Sequence, residues 1–326
     1  VLDLFPVAAS STPSRVIRES VDLIRLAEAE GFTRYWVAEH HNMPSIATSA
    51  PEVLIGHLAG ATTRIRVGAG GIMLPNHTPL RVVEIFRTLE ALYPGRIDLG
   101  LGRAPGTDPV TASALRNGSG DDPDQRLAEL LAFERHDFPE GHPFRAITPM
   151  PSDVRLPPIW MLGSTLAGAT IAASLGVHYA FAGHFAMRYA RPALARYRDL
   201  FRPSADLPSP YAMLAVTVVC GEDDAHAARL AAPIRLAVVN TRTGRPKPIA
   251  SVEEALAYRF TPEEQAIADD FFLGAIIGGP DTVRAGLLQV VRDTGADELM
   301  LSALLPDHHE RLRSYQRIAD LARATV

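Results

Sequence analysis

Tyr35-Trp36-Val37-Ala38-Glu39-His40-His41-Asn42 is an aromatic, β-branched run that ends abruptly in acid, base and amide. Its first half reads as a buried strand and its second as the polar end of that strand. The arrangement recurs. Ile65-Arg66-Val67-Gly68-Ala69 leads to Gly70-Gly71, Arg96-Ile97-Asp98-Leu99 to Gly100-Leu101-Gly102-Arg103, and Pro158-Ile159-Trp160-Met161-Leu162 to Gly163-Ser164-Thr165. Tyr179-Ala180-Phe181-Ala182 runs into Gly183-His184. Short apolar strands that finish in glycine or polar residues, with helical segments between them, predict an α/β fold. The expected form is a single-domain (β/α)8 TIM barrel whose site lies at the carboxyl ends of its strands.

The segments between the strands fit that reading. Thr12-Pro13 is an N-cap followed by proline, Ile17, Val21, Ile24 and Ala27 keep helical spacing, and Gly31 closes the helix. Further helices are expected at about 51–61, 79–92, 121–138, 166–175, 187–201, 223–236, 281–293 and 308–324, with strands at 211–220 and 298–302. No linker or repeat divides the chain, so residues 1–326 are read as one domain. One late interruption stands out. The span 240–260, with Thr241-Arg242-Thr243-Gly244-Arg245-Pro246-Lys247-Pro248 at its front, lacks an apolar period and is long for a connection. Such an insertion is either a mobile functional lid or plain surface, and Arg242, Arg245 and Lys247 either close over an anion or form a solvated cluster.

Composition narrows the function classes. With 47% hydrophobic residues among 326 there is material for a large core. A formal charge of -5 and a pI near 6.1 argue against a nucleic-acid surface, which needs basic groups. The longest apolar stretch, 271–277, is far short of the roughly 20 residues of a membrane span. Cys220 is the only cysteine, so no intrachain disulfide can form and a reducing cytoplasm is expected. Val1 already stands in an apparent strand, so a few further residues are expected upstream.

Four groups of residues could carry chemistry. In Glu39-His40-His41-Asn42, consecutive residues leaving a strand point in opposite directions, which disfavours one shared metal ion and leaves one imidazole facing the barrel mouth. That imidazole would act as acid, base or hydrogen-bond donor, oriented by Glu39 or Asn42. The run 100–106 is not a dinucleotide loop, because Pro105 stands where the third glycine belongs. It fits close backbone approach to a flat ligand with Arg103 offered to a phosphate, or else a Pro-Gly turn with a solvated arginine. Gly163-Ser164-Thr165 precedes a helix and suits an anion, although either hydroxyl could be an ordinary N-cap. Gly70-Gly71 is either a loose turn or backbone pressed against something planar.

In order along the chain, WVAEHHN at 36–42, GAGGIMLPNHTPLRVVE at 68–84, LEALYPGRIDLGLGRAPGTD at 89–108 and the Gly163-Ser164 turn resemble the bacterial luciferase-like flavin monooxygenases, in particular their single-subunit branch. The resemblance implies reduced FMN bound at the carboxyl face of the barrel. It places His40 on the catalytic histidine beside the isoalloxazine and Arg103 on the arginine that holds the phosphate. Ser164 and Thr165 fall on the phosphate turn, and Gly70-Gly71 on a non-prolyl cis peptide under the ring. It further implies dioxygen and a small organic substrate, a separate NAD(P)H:flavin reductase as partner, a homodimer through helices 51–61 and 79–92, and a mobile loop at 240–260. The light-emitting subunits carry a reactive cysteine where this chain has Gly102, so light emission is not expected. A deazaflavin F420-dependent oxidoreductase and a catalytically idle flavin-binding protein are the alternatives. Phe5, Met73, Phe181 and Phe185 are candidates for an apolar substrate pocket, or for core.

Overall fold

Ten strands run parallel through the computed structural model, which describes residues 1–115 and 122–323. They are β1 (Leu2–Asp3), β2 (Arg34–Val37), β3 (Arg66–Ala69), β4 (Ile72–Met73), β5 (Ile97–Gly102), β6 (Ile159–Gly163), β7 (His178–Phe181), β8 (Ala212–Cys220), β9 (Ile276–Gly278) and β10 (Glu298–Ser302). Eight form the ring in the order β1-β2-β3-β5-β6-β7-β8-β10, and β10 comes back alongside β1. The short β4 and β9 pair with β5 and β8 near the carboxyl ends of those strands. This is the expected single-domain barrel.

Parallel strands covered on both faces read as continuous apolar runs, and β5 and β8 are buried along their whole length. Side chains alternate between barrel interior and helix layer. Trp36 and Trp160 meet edge to face inside, with centroids 5.2 Å apart, among Leu2, Met213 and Met300. Tyr35, Val37, Leu99 and Leu101 pack outward on the helices. Helix Pro13–Ala29 starts as its sequence predicts, Thr12 accepting from Arg15 N at 3.3 Å, and it buries Val16, Leu23, Ile24 and Ala27.

The amino end of the barrel is closed by charge. Asp98 is fully buried and accepts from Arg34 Nη1 at 2.8 Å, Arg66 Nη2 at 2.6 Å and Trp36 Nε1 at 3.0 Å. Arg34 also bonds Glu298 at 2.8 Å and lies over the Trp160 ring. A second knot ties the last helix, His308–Arg323, to the first strand: Arg311 Nη1 donates to Asp3 Oδ1 at 3.0 Å, and Tyr35 donates its hydroxyl to the other Asp3 oxygen.

The late part of the chain differs from its sequence reading. The helix expected at 223–236 continues to Arg242 as Asp224–Arg242, passing through Pro233. Its Pro233, Val238 and Val239 weaken helix propensity, but Leu236, Val238 and Val239 are buried, and tertiary packing wins. The span 240–260 is not without structure. It contains the end of that helix and helix Val252–Ala257, whose Ser251 and Glu254 form a capping box. Between them Ile249 donates to Val7 O and accepts from Ala9 N, both at 2.8 Å. The expected helix at 121–138 runs over Pro123–Arg135, and Asp121 and Ala324 lie outside the described residues. Helices Pro109–Ala114, Gly183–Ala186 and Pro262–Phe271 and strands β4 and β9 are too short or too weakly periodic to have been read.

Removing one member of a buried ion pair strands the other in a poor dielectric. Arg311→Leu therefore costs about 3–5 kcal/mol of stability, read as a lower midpoint in urea unfolding.

Candidate active site

The carboxyl ends of the strands surround a cavity of about 730 Å³, within the usual range for small-molecule sites. Its lining takes His40 from the end of β2, Gly70 from β3, Met73 from β4, Arg103 from β5, Ser164 and Thr165 from β6, and His184 from the turn after β7. Five strand ends picked out in the sequence thus converge on one space.

The loop after β2 is fixed by its first polar residue. Glu39 is fully buried and accepts from Met73 N at 2.7 Å, Asn76 Nδ2 at 2.9 Å, His77 Nε2 at 2.9 Å and His41 Nε2 at 3.0 Å. Burial pushes its carboxyl up, but the bonds from His77, Asn76 and His41 outweigh that and hold it below the usual range. Burial likewise lowers His77, and Glu39 more than reverses it, so His77 titrates above its ordinary value. Asn42 adopts φ 52° and bonds Asp108 at 3.0 Å. Neither Glu39 nor Asn42 orients His40, contrary to the sequence expectation, because both are committed elsewhere.

His40 holds its place through the backbone, its N donating to Thr48 O at 2.9 Å. Its Nδ1 is shut off from solvent and has no partner, and the same is true of Nδ1 in His184. Burial pulls each imidazole down to about 4; the charge of Glu39 opposes this at His40, and His40 adds to it at His184. Both rings are therefore neutral near pH 7. Each offers a ring nitrogen to a bound molecule as a hydrogen-bonding or proton-transferring group, not as a standing cation.

Arg103 is half-buried and pairs with Asp124 at 2.7 Å, while its Nε is buried without a partner. Ser164 and Thr165 sit at the start of helix Leu166–Leu175, where the helix dipole is positive. Thr165 is also the N-cap, accepting from Gly168 N at 3.5 Å, so its hydroxyl serves the helix. Gly70 and Gly71 are joined by a cis peptide bond. Gly70 lines the cavity, but Gly71 does not; a Cβ on it would lie 2.7 Å from Gly100 O, so that glycine serves the approach of two strands. At Gly102 a Cβ would lie 2.7 Å from Met73 Sδ, so Met73 fills the space a cysteine would need.

Of the four apolar candidates, Met73 and Phe185 line the cavity. Phe181 lines a small void beneath it, and Phe5 is wholly buried in the core. His184 follows a strand by the same rule as His40, but the sequence assigns it no chemical role. Among the described residues no group of three or more His, Cys, Asp or Glu is placed to hold a metal ion, and no helix is long and apolar enough to cross a membrane.

The sequence family described as luciferase-like monooxygenase matches residues 1–298, and the chain belongs to it. A luciferase-like monooxygenase of Escherichia coli K12 is 42% identical over 328 residues, covering 98% of this chain and 96% of that protein. The N-acetyl-S-alkylcysteine monooxygenase of Bacillus subtilis is 42% identical over 186 residues, 56% of this chain and 55% of its own. Among solved structures, apo-MsnO8 superposes with a TM-score of 0.89 at 38% identity, covering 98% of this chain and 96% of that one. Two remoter structures share the fold alone. One is the FMN complex of the oxygenating constituent of 3,6-diketocamphane monooxygenase of Pseudomonas putida, at 17% identity, TM-score 0.72 and coverage of 98% and 95%. The other is an F420-dependent secondary alcohol dehydrogenase, at 14%, 0.67 and coverage of 95% and 94%.

The two imidazoles make a pH prediction. Each is neutral in the fold down to about 4 but protonates below the ordinary 6.5 once unfolded, so stability is present above 6.5 and is lost as pH falls towards 4. Replacing both His40 and His184 by glutamine moves the acid-unfolding midpoint to lower pH. A midpoint unchanged from wild type in a circular-dichroism titration would contradict their neutrality.

Proposed function

We propose that the protein is the oxygenase of a two-component flavin monooxygenase. It takes reduced FMN from a separate NAD(P)H:flavin reductase and uses dioxygen to oxygenate a small organic substrate. The observation that carries this reading is one cavity whose wall brings together an arginine, a helix N-terminus and two imidazoles, His40 and His184, that are neutral near pH 7. The residues fit the cofactor: Arg103, Ser164 and the start of helix Leu166–Leu175 would hold the phosphate, and the Gly70 backbone and His40 would meet the ring.

When bound, reduced FMN supplies two electrons and two protons, so that one oxygen atom of O2 enters the substrate and the other leaves as water. The protein's own part is binding, orientation and exclusion of water. His40, neutral at working pH, lines the cavity and would donate or accept one hydrogen bond with the bound ring. Asp124 now occupies the guanidinium of Arg103, and an incoming phosphate either displaces or shares it. The span 240–260 contributes Thr241, Arg242 and Ile249 to the cavity wall and serves as its closing element. Relatives named as monooxygenases at 42% identity support an oxygenase over a dehydrogenase, while the FMN and F420 structures share only the fold. A buried Cys220 and no disulfide are compatible with a reducing cytoplasm.

A charge-assisted contact is worth about 1.5–3 kcal/mol, so Arg103→Ala weakens reduced-FMN binding by about tenfold or more without unfolding the chain. Anaerobic titration with reduced FMN and with reduced F420 checks this and separates the two cofactors; preference for F420 would overturn the reading.

The chain is also proposed to be a homodimer through helices Pro51–Gly60 and Pro79–Leu92. Val53 and Leu92 on them are 66% and 63% exposed and would be covered by that contact. Light scattering at micromolar concentration should give twice the mass of one chain, and a monomer mass would refute it.

A further inference from the structure

The cavity is lopsided in charge. No carboxylate lines it among the described residues, yet two arginines do, Arg103 and Arg242. Arg103 already has Asp124. Arg242 is exposed at the end of helix Asp224–Arg242 and makes no hydrogen bond or ion pair with any described residue. Its neighbours behave differently. Arg188, Arg235 and Arg245 are bound to Asp270, Asp269 and Glu264, all on helix Pro262–Phe271. Arg242 is thus the described cationic side chain of the cavity whose counter-ion the protein does not supply.

Its position separates it from the phosphate anchor. In the ring order, β5 and β6, which carry Arg103 and Ser164, stand fourth and fifth, whereas β10 and β1 stand eighth and first. The chain leaving Arg242 runs to the β1 side, where Ile249 bonds Val7 and Ala9. Arg242 thus comes from a helix and a chain segment separate from the strand ends that carry Arg103 and Ser164. The same face of the helix that ends in Arg242 presents Ile234, Ala237 and Val238 to the cavity at helical spacing, with Phe271 and Leu304 nearby in the lining.

Building on the oxygenase reading, we propose that Arg242 is the substrate-carboxylate anchor. The substrate class is then a small organic acid whose apolar body lies along the Ile234, Ala237 and Val238 face. A guanidinium takes a carboxylate through two parallel N–H···O bonds, a geometry that neither lysine nor a helix end offers.

The test uses a series of (alkylthio)acetic and (benzylthio)acetic acids, with the alkyl group from methyl to octyl, each beside its methyl ester. Binding is measured by calorimetry to flavin-free protein and, anaerobically, to protein loaded with reduced FMN. Expected is a preference of at least tenfold for acid over ester in the best members. Arg242→Gln should abolish that preference and Arg242→Lys restore part of it, while reduced-FMN affinity stays within twofold of wild type. Acids and esters binding alike throughout the series would overturn the proposal. So would a loss of FMN affinity in Arg242→Gln as large as that in Arg103→Ala, which would assign Arg242 to the cofactor. Turnover with a flavin reductase is read separately: acid preference without any oxygenated product leaves Arg242 as the anchor and defeats the oxygenase reading, and product formed equally from acid and ester does the reverse.

Discussion

A single buried carboxylate organises the mouth of this barrel. Glu39 has no solvent contact, and an isolated buried charge would cost many kcal/mol, so its position is viable only because four donors from two segments of the chain converge on it. Those donors are the Met73 amide, Asn76 and His77 beyond β3 and β4, and His41 beside it. Asn76 passes the constraint on, donating also to Pro105 O at 2.9 Å, and Thr107 bonds His41 O at 2.8 Å. The loops after β2, β4 and β5 are thus one cross-linked unit. His40 is held at its edge with an unpartnered ring nitrogen, because its neighbour on the chain has taken the polar contacts of the loop.

The two ends of the barrel divide the labour by charge. At the amino end Asp98 and Glu298 each have an arginine that locks strands to one another, and at the far end of β1 Asp3 pairs with Arg311 of the last helix. At the carboxyl end the cavity has arginines and neutral imidazoles in its described lining and no acid. Charge balanced inside the protein serves stability; charge left unbalanced at a cavity serves an anionic ligand.

Much of this could be read in the sequence, and the reason is the barrel itself. A parallel strand covered on both faces must be apolar throughout, so the polar residues that follow mark both its end and the side of the molecule where ligands bind. The residues that logic singles out, His40, Arg103, Ser164, Thr165 and Gly70, line one cavity. It failed where the signal was tertiary. Glu39 looked like an orienter for His40, because sequence proximity says nothing of His77 and Asn76, which reach it from more than thirty residues away. Thr165 carried two readings, anion ligand and N-cap, and its hydroxyl makes the cap contact. Helix Asp224–Arg242 extends past its sequence reading through a stretch whose local propensity is poor and whose burial decides the matter, so Arg242 stands on a helix and not on the loop expected there.

Met73 shows how the organising carboxylate and the ligand space are coupled. Its amide is bound by Glu39, so its backbone cannot shift without uncovering a buried charge. Its thioether fills the volume above Gly102 and forms part of the cavity wall. In the light-emitting subunits, as the sequence resemblance has it, a cysteine takes the position of Gly102. Here that side chain is absent, and methionine supplies the bulk from the neighbouring strand. The wall is therefore flexible in its side chain but fixed in its backbone, a combination that lets the pocket adapt to an apolar body without loosening the loop that carries His40.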